Sequence, residues 1–231
     1  MRYASGMLIG LSLFLAGCGG GGSAGGNNPA EPNTPDGNNP AEPNTPEATP
    51  FLVITLSSTS IPSGTSVQAT ATINDGSGGS SPAPNVTWSS SNAGVASVSS
   101  GLVTGDRKGT TAISATSGSL TGKVVVTVVP GAPAAITIYA GNGQSGPAGS
   151  QLSDPLCTNV LDAAGNLIVG AMVSYVVASG GGGLANPTTP QTDPSGIAIS
   201  GLWTLGSGTG AQTVTASSEG AGSVTFTATV Q

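Results

Sequence analysis

The sequence predicts an all-β protein: two antiparallel β-sandwiches in tandem, after a signal segment and a disordered spacer. Three observations carry this reading. From Phe51 onward, β-branched residues alternate with small polar ones, as in TSVQATATIN (65–74), where Val67, Ala69, Ala71 and Ile73 share one face. Clusters of Gly, Ser, Pro and Asp interrupt these runs roughly every ten residues, the rhythm of an antiparallel sandwich. No run of ten residues carries the 3.6-residue stripe of an amphipathic helix.

Composition narrows the function. The 231 residues suffice for one large or two small domains, each with its own core. Only 6% are charged and 3% aromatic, yet 37% are hydrophobic, enough apolar material to fold. Histidine is absent, which excludes every imidazole-based triad, proton shuttle or metal site. Ten acids against four bases give −6, and removal of Arg2 with a leader would leave three bases and a charge of −7. Only Arg107 and Lys108 form a basic pair, so a nucleic-acid partner is not expected.

The first 17 residues read as a cleaved signal peptide. Arg2 precedes an apolar stretch from Met7 to Leu15. A helix from Tyr3 to Cys18 would reach roughly 24 Å at ~1.5 Å per residue, short of a ~30 Å hydrocarbon core. The residues Leu15-Ala16-Gly17-Cys18 resemble the lipobox of bacterial lipoproteins. That resemblance implies cleavage before Cys18 and acylation of its thiol, with several acyl chains needed for firm anchoring. Gly19, in place of an aspartate, is compatible with export to an outer membrane.

Residues 18–50 form the lipid-bearing cysteine and a spacer. GNNPAEPNTPD (26–36) and GNNPAEPNTPE (37–47) repeat in tandem without an apolar face, so they do not stack. Proline every third residue or so favours polyproline II, and a preceding glycine run favours flexibility. Fully extended, 19–50 would reach on the order of 100 Å. The spacer reads equally as a tether and as a neutral linker.

The first domain is expected over 51–130. Its strands are FLVITL (51–56), TSVQATATIN (65–74), NVTWSS (85–90), GVASV (94–98), TTAISAT (110–116) and KVVVTVV (123–129), with Trp88 filling the core. Ile61-Pro62-Ser63-Gly64-Thr65, Gln68-Ala69-Thr70-Ala71, Val86 through Asn92, Val95-Ala96, Gly101-Leu102-Val103-Thr104-Gly105 and Gly109-Thr110 resemble the bacterial Ig-like group 2 domain. The resemblance spans 51–129 and implies an immunoglobulin-like sandwich. The Gly-rich stretch 75–84 has no assignable role.

The second domain is expected over 131–231. Its strands are ITIYA (136–140), PLCTNVL (155–161), AMVSYVVAS (171–179), IAISGLWTL (197–205), AQTVTASS (211–218) and SVTFTATV (223–230). Asp162 to Asn166 and Asp193 to Gly196 are turns in which the aspartate bonds backbone two residues on and glycine supplies positive φ. Gly141 through Gly146, Asp162 to Asn166, Ser179 to Leu184, Gly196-Ile197-Ala198 and Trp203-Thr204-Leu205-Gly206 resemble the group 1 family, known from the stalks of intimin- and invasin-type adhesins. That resemblance spans 134–230. The connector Pro130-Gly131-Ala132-Pro133 is too short for free tumbling and implies a semi-rigid rod.

Other candidate sites give way to plainer readings. Gly141, Gly143 and Gly146 spell G-x-G-x-x-G, but Pro147 and another turn follow where a nucleotide-binding helix would start. Gly21-Gly22-Ser23-Ala24-Gly25 matches a nucleophile elbow without strand, helix or histidine. Paired carboxylates could run a glycosidase, but Asp75, Asp106, Asp154, Asp162, Asp193 and Glu219 all fall in predicted turns. Asp162 and Asn166 alone are too few oxygen ligands for calcium. Cys157, with no cationic neighbour in sequence, reads as a small buried hydrophobe. The sequon Asn85-Val86-Thr87 falls inside a predicted strand.

No cofactor, metal, nucleotide or catalytic residue is therefore expected; Cys18, as a lipidation site, is the single functional residue. The resemblances imply a membrane-anchored display or adhesion protein at the cell surface or outer membrane, non-catalytic, with an unidentified protein or carbohydrate ligand. Two alternatives stay open: a structural spacer or envelope protein with no ligand, and an accessory carbohydrate-binding or hydrolase protein.

Overall fold

The computed structural model describes residues 48–231, and every regular element among them is a strand or a turn. The predicted signal peptide, Cys18 and nearly all of the predicted spacer lie outside the described residues.

The first nine strands are β1 (Phe51–Leu56), β2 (Ser60–Pro62), β3 (Ser66–Asn74), β4 (Ser80–Pro82), β5 (Thr87–Ser90), β6 (Ala96–Ser99), β7 (Leu102–Gly105), β8 (Gly109–Ser117) and β9 (Leu120–Val129). One sheet runs β1-β3-β7-β6, with β4 also on β3, and the other runs β2-β9-β8-β5. Between them lies a core of Ile61, Ala69, Ala96, Val103, Ile113, Val126 and Val128. Alternation builds it: in β8, Thr111, Ile113, Ala115 and Ser117 are buried while the residues between them are not. Each fully buried Val or Ile contributes about 1.5–3 kcal/mol. Trp88 packs partly buried against this core, as its strand position predicts.

Nine more strands follow: β10 (Pro133–Ala140), β11 (Gln144–Gly146), β12 (Cys157–Asp162), β13 (Ser174–Ser179), β14 (Gly182–Leu184), β15 (Ile197–Ile199), β16 (Trp203–Leu205), β17 (Gly210–Ser218) and β18 (Gly222–Val230). The sheets are β10-β12-β15, β11-β18-β17-β13 and the short pair β14-β16. Their core holds Leu156, Val160, Val173, Tyr175, Trp203, Leu205, Val214 and Phe226. Tyr175, on β13, reaches across it: its hydroxyl lies 2.8 Å from Thr158 Oγ1 on β12 and donates to the Ala198 carbonyl on β15 at 2.9 Å. Burial pushes this phenol up to about 12. A polar rivet thus joins two sheets through an apolar core.

Two local expectations need correction, and one stretch left unassigned finds its place. Asn85 lies outside the strand, which starts at Thr87; its backbone is left-handed (φ 48°), a conformation asparagine tolerates. IAISGLWTL is two strands, because the chain leaves β12 after Ile199 and joins β14 at Trp203. The unassigned stretch 75–84 is a turn and a returning strand. Asp75 Oδ1 accepts from the Ser77 and Gly79 amides, and residues 80–82 come back to pair with β3.

Candidate functional site

The most constructed polar site among the described residues sits where the two strand sets meet. Asp162 ends β12, and the following turn has the predicted chemistry: Oδ1 accepts from the Ala164 amide at 3.0 Å and the Asn166 amide at 2.8 Å. Gly165 completes the turn at φ 81°. The other oxygen looks outward to the first strand set. Oδ2 accepts from Ser63 Oγ at 2.5 Å, from the Gly131 amide at 2.8 Å and from Asn166 Nδ2 at 2.8 Å. Ser63 follows β2, and Gly131 lies in the connector.

Asp162 is 4% exposed, a costly position for a charge without partners. Burial alone pushes the carboxyl up, but the donors on Ser63, Asn166 and Gly131 outweigh it and hold the group well below the usual carboxylate range. Around this hub, the Gly131 amide also reaches Ser63 Oγ at 3.1 Å, and the Lys108 amide donates to Asn166 Oδ1 at 3.0 Å. Gly131 is required by space: a Cβ there would stand 2.6 Å from the Ser63 carbonyl oxygen.

A groove of about 500 Å³ runs along this junction, lined by Ser63, Thr65, Thr104, Asp106, Pro133 and Asp162 among others. It holds two carboxylates, but not an acid–base pair. Asp106 Oδ2 accepts from the Ser97 amide, and Asp162 is held ionised, whereas a glycosidase acid must keep its proton near neutrality. Both Asp162 oxygens are taken up by N–H and O–H donors, an arrangement opposite to that of a calcium ligand. Among the described residues, no three His, Cys, Asp or Glu side chains gather into a group able to hold a metal.

The remaining sequence candidates take structural places. Asp193 caps its turn through the Ser195 and Ile197 amides. Of the G-x-G-x-x-G residues, Gly141 and Gly143 precede β11 and Gly146 ends it, and this strand pairs with β18 instead of opening a helix. Cys157 is buried, and burial with nearby Asp154 raises its thiol pKa, so it is a poor nucleophile. Tyr139, Val169, Met172 and Ile199 keep large apolar side chains exposed on the second strand set. The junction itself escaped sequence reasoning: Asp162 and Asn166 signal a turn, but nothing local points to Ser63.

Fold and site together define an all-β, immunoglobulin-like protein in which the Asp162 site joins the two strand sets. Residues 48–128 match the bacterial Ig-like domain (group 2) family. No curated protein matches the chain. Among solved structures, the chain is similar to FdeC, an Escherichia coli adhesin, at 17% identity and a TM-score of 0.53, covering 77% of this chain and 63% of that one. It is also similar to domains 4 and 5 of the S-layer protein SbsC (19%, TM-score 0.37, 78% and 96% covered). A third is the Yersinia pseudotuberculosis adhesin InvE (16%, TM-score 0.37, 78% and 58% covered). The likeness to FdeC shows a shared fold.

Proposed function

We propose that the chain is a bacterial envelope lipoprotein displaying two Ig-like domains, 51–130 (group 2) and 131–231 (group 1), for adhesion at the cell surface or outer membrane without catalysis. In this reading Cys18 carries the lipid and 18–50 is the spacer. The observation that carries it is the family match over residues 48–128, behind a Leu15-Ala16-Gly17-Cys18 sequence of lipobox type. The fold shared with the adhesin FdeC supports it. Cys18→Ser should release the protein from membranes, and protease added to intact cells should remove the domains. A mutant that stays in the membrane fraction with its leader uncut overturns the anchor. Domains that resist protease until the envelope is broken overturn surface display.

A second reading, a structural spacer with no ligand of its own, is favoured by the Asp162 junction, where the polar groups are spent on holding the strand sets together. Binding assays of the full chain against glycans, matrix proteins and cell-envelope material separate the two. Saturable binding supports adhesion, and its absence across all three supports the spacer.

A further inference from the structure

Asn85-Val86-Thr87 is the one usable N-x-S/T sequon in the sequence, because Asn186-Pro187-Thr188 is barred by its proline. Inside a regular strand such a tripeptide would be held extended in a ladder. The structure takes Asn85 out of that position. It sits in a bend before β5, is exposed, and has a left-handed backbone at φ 48°. Thr87, the hydroxyl residue of the tripeptide, is the first residue of β5 and is exposed as well. Among the described residues, neither side chain spends its polar atoms on a hydrogen bond, so the Asn85 amide is free to react.

The bend is held on both sides. Ala83 N–H donates to the Ala71 carbonyl at 3.0 Å, and Ser117 Oγ donates to the Pro84 carbonyl at 2.5 Å. Thr87 pairs with Thr116, which pairs with Thr121, so the exposed surface beside the bend carries small hydroxyl side chains. A bulky polar substituent meets no apolar surface and no carboxylate there.

The surrounding strand gives such a substituent a purpose. β5 is the edge of its sheet, with β8 on one side and no strand of that sheet on the other. Open edges invite pairing with another chain and are commonly blunted by charge. Here the chain from Gly76 to Gly105 carries no charged residue at all. A glycan at the entrance to β5 is bulky and solubilising, and would block approach to that edge.

We propose that Asn85 is an N-glycosylation site whose glycan shields the open edge of β5. The donor is a phosphate-activated sugar and the catalyst a separate glycosyltransferase. Asn85 Nδ2 attacks C1 of the sugar, forming the N–C1 bond. The C1–O bond to phosphate breaks, the phosphate group leaves with the electron pair, and one amide proton passes to the transferase. This goes beyond adhesion and holds whether or not Cys18 is acylated.

The test reads the full chain isolated from the cells that produce it, by intact mass and by sequencing of the peptide that holds Asn85. The expected result is sugar on Asn85, none on Asn186, and none in Asn85→Gln or Thr87→Val. The second variant keeps both the asparagine and a β-branched strand residue, so its loss of sugar does not stem from misfolding. Unmodified Asn85, or sugar confined to serine and threonine, overturns the proposal. Acceptor competence is read separately with a purified asparagine glycosyltransferase and a nucleotide-activated hexose. The folded chain should gain one hexose at Asn85 within roughly tenfold of the rate of a synthetic peptide spanning 80–92, whereas slower transfer means that the bend must first open, and overturns the site. Light scattering under agitation reads the shielding: Thr87→Val should self-associate faster than the glycosylated parent, and equal rates overturn that role.

Discussion

Ser63 Oγ donates a 2.5 Å hydrogen bond to Asp162 Oδ2 across 99 positions of sequence, from the end of β2 to the end of β12. The acceptor is an ionised, buried carboxylate, and hydrogen bonds to charged groups contribute about 1.5–3 kcal/mol each. Ser63→Ala removes this donor but leaves the Gly131 amide and the Asn166 amide group on the same oxygen. We expect a loss of about 1–2 kcal/mol in urea unfolding, with faster motion of one strand set against the other by NMR relaxation. A double-mutant cycle with Asp162→Asn should return a coupling energy of at least about 0.5 kcal/mol. Additive losses would mean the two side chains do not cooperate.

Gly131 meets this latch through its backbone, and its lack of a side chain is what permits the approach. A Cβ would lie 2.6 Å from the Ser63 carbonyl oxygen and 3.2 Å from its hydroxyl oxygen. Gly131→Ala must therefore move the connector, lengthening the bond from its own amide to Asp162. The expected cost is about 1–3 kcal/mol. Crosspeak shifts at Ser63, Asp162 and Asn166, with the β17–β18 ladder unmoved, would place the damage at the junction. Unchanged stability would contradict the packing described.

Much of the fold is legible in the sequence because period-two alternation survives in the long strands. Val214, Ala216, Phe226 and Ala228 are buried by the alternation that predicts β17 and β18. The turn at Asp162 is legible for a different reason, being local chemistry within five residues. Three-residue strands are not. Nothing periodic marks Ser60–Pro62 or Gln144–Gly146, which exist as strands only because partners 67 and 84 residues further on supply their hydrogen bonds. Ile197–Leu205 reads as one apolar run because sequence hides the change of sheet at Ser200. The candidate junction is the least legible feature, since Ser63 looks like any turn serine until the second strand set is laid beside it. Residues 1–47, which hold the predicted lipidation site Cys18, lie outside the described residues.

Tyr175 offers a test of the second core that a hydrophobic tally would miss. Its hydroxyl joins Thr158 and the Ala198 carbonyl across two sheets. Tyr175→Phe keeps the ring against Phe226, 6.1 Å away by centroid, but leaves two buried polar groups short of a partner. A loss of about 1–3 kcal/mol follows from their desolvation. Tyr175→Phe as stable as the parent would mean those groups find other partners. Phenol titration gives an independent reading: Tyr175, pushed up to about 12, should ionise only as the protein unfolds in alkali.

The pH dependence of stability isolates Asp162. Its folded carboxyl sits below the usual range, while an unfolded aspartate titrates near about 3.9. Above that value both states are ionised, and the stabilisation from the five donors is fully present. As pH falls below it, the unfolded chain takes up a proton that the folded protein refuses. Stability then drops by up to about 1.4 kcal/mol per pH unit from this group alone, until the folded carboxyl protonates as well. Asp162→Asn cannot lose what it lacks. Parent and variant should therefore differ by roughly 2–4 kcal/mol near about pH 6, with the gap closing steadily from about pH 4 downward. Urea unfolding at successive pH values measures it. A gap that stays constant through acid would show that the Asp162 carboxylate is not what the junction stabilises.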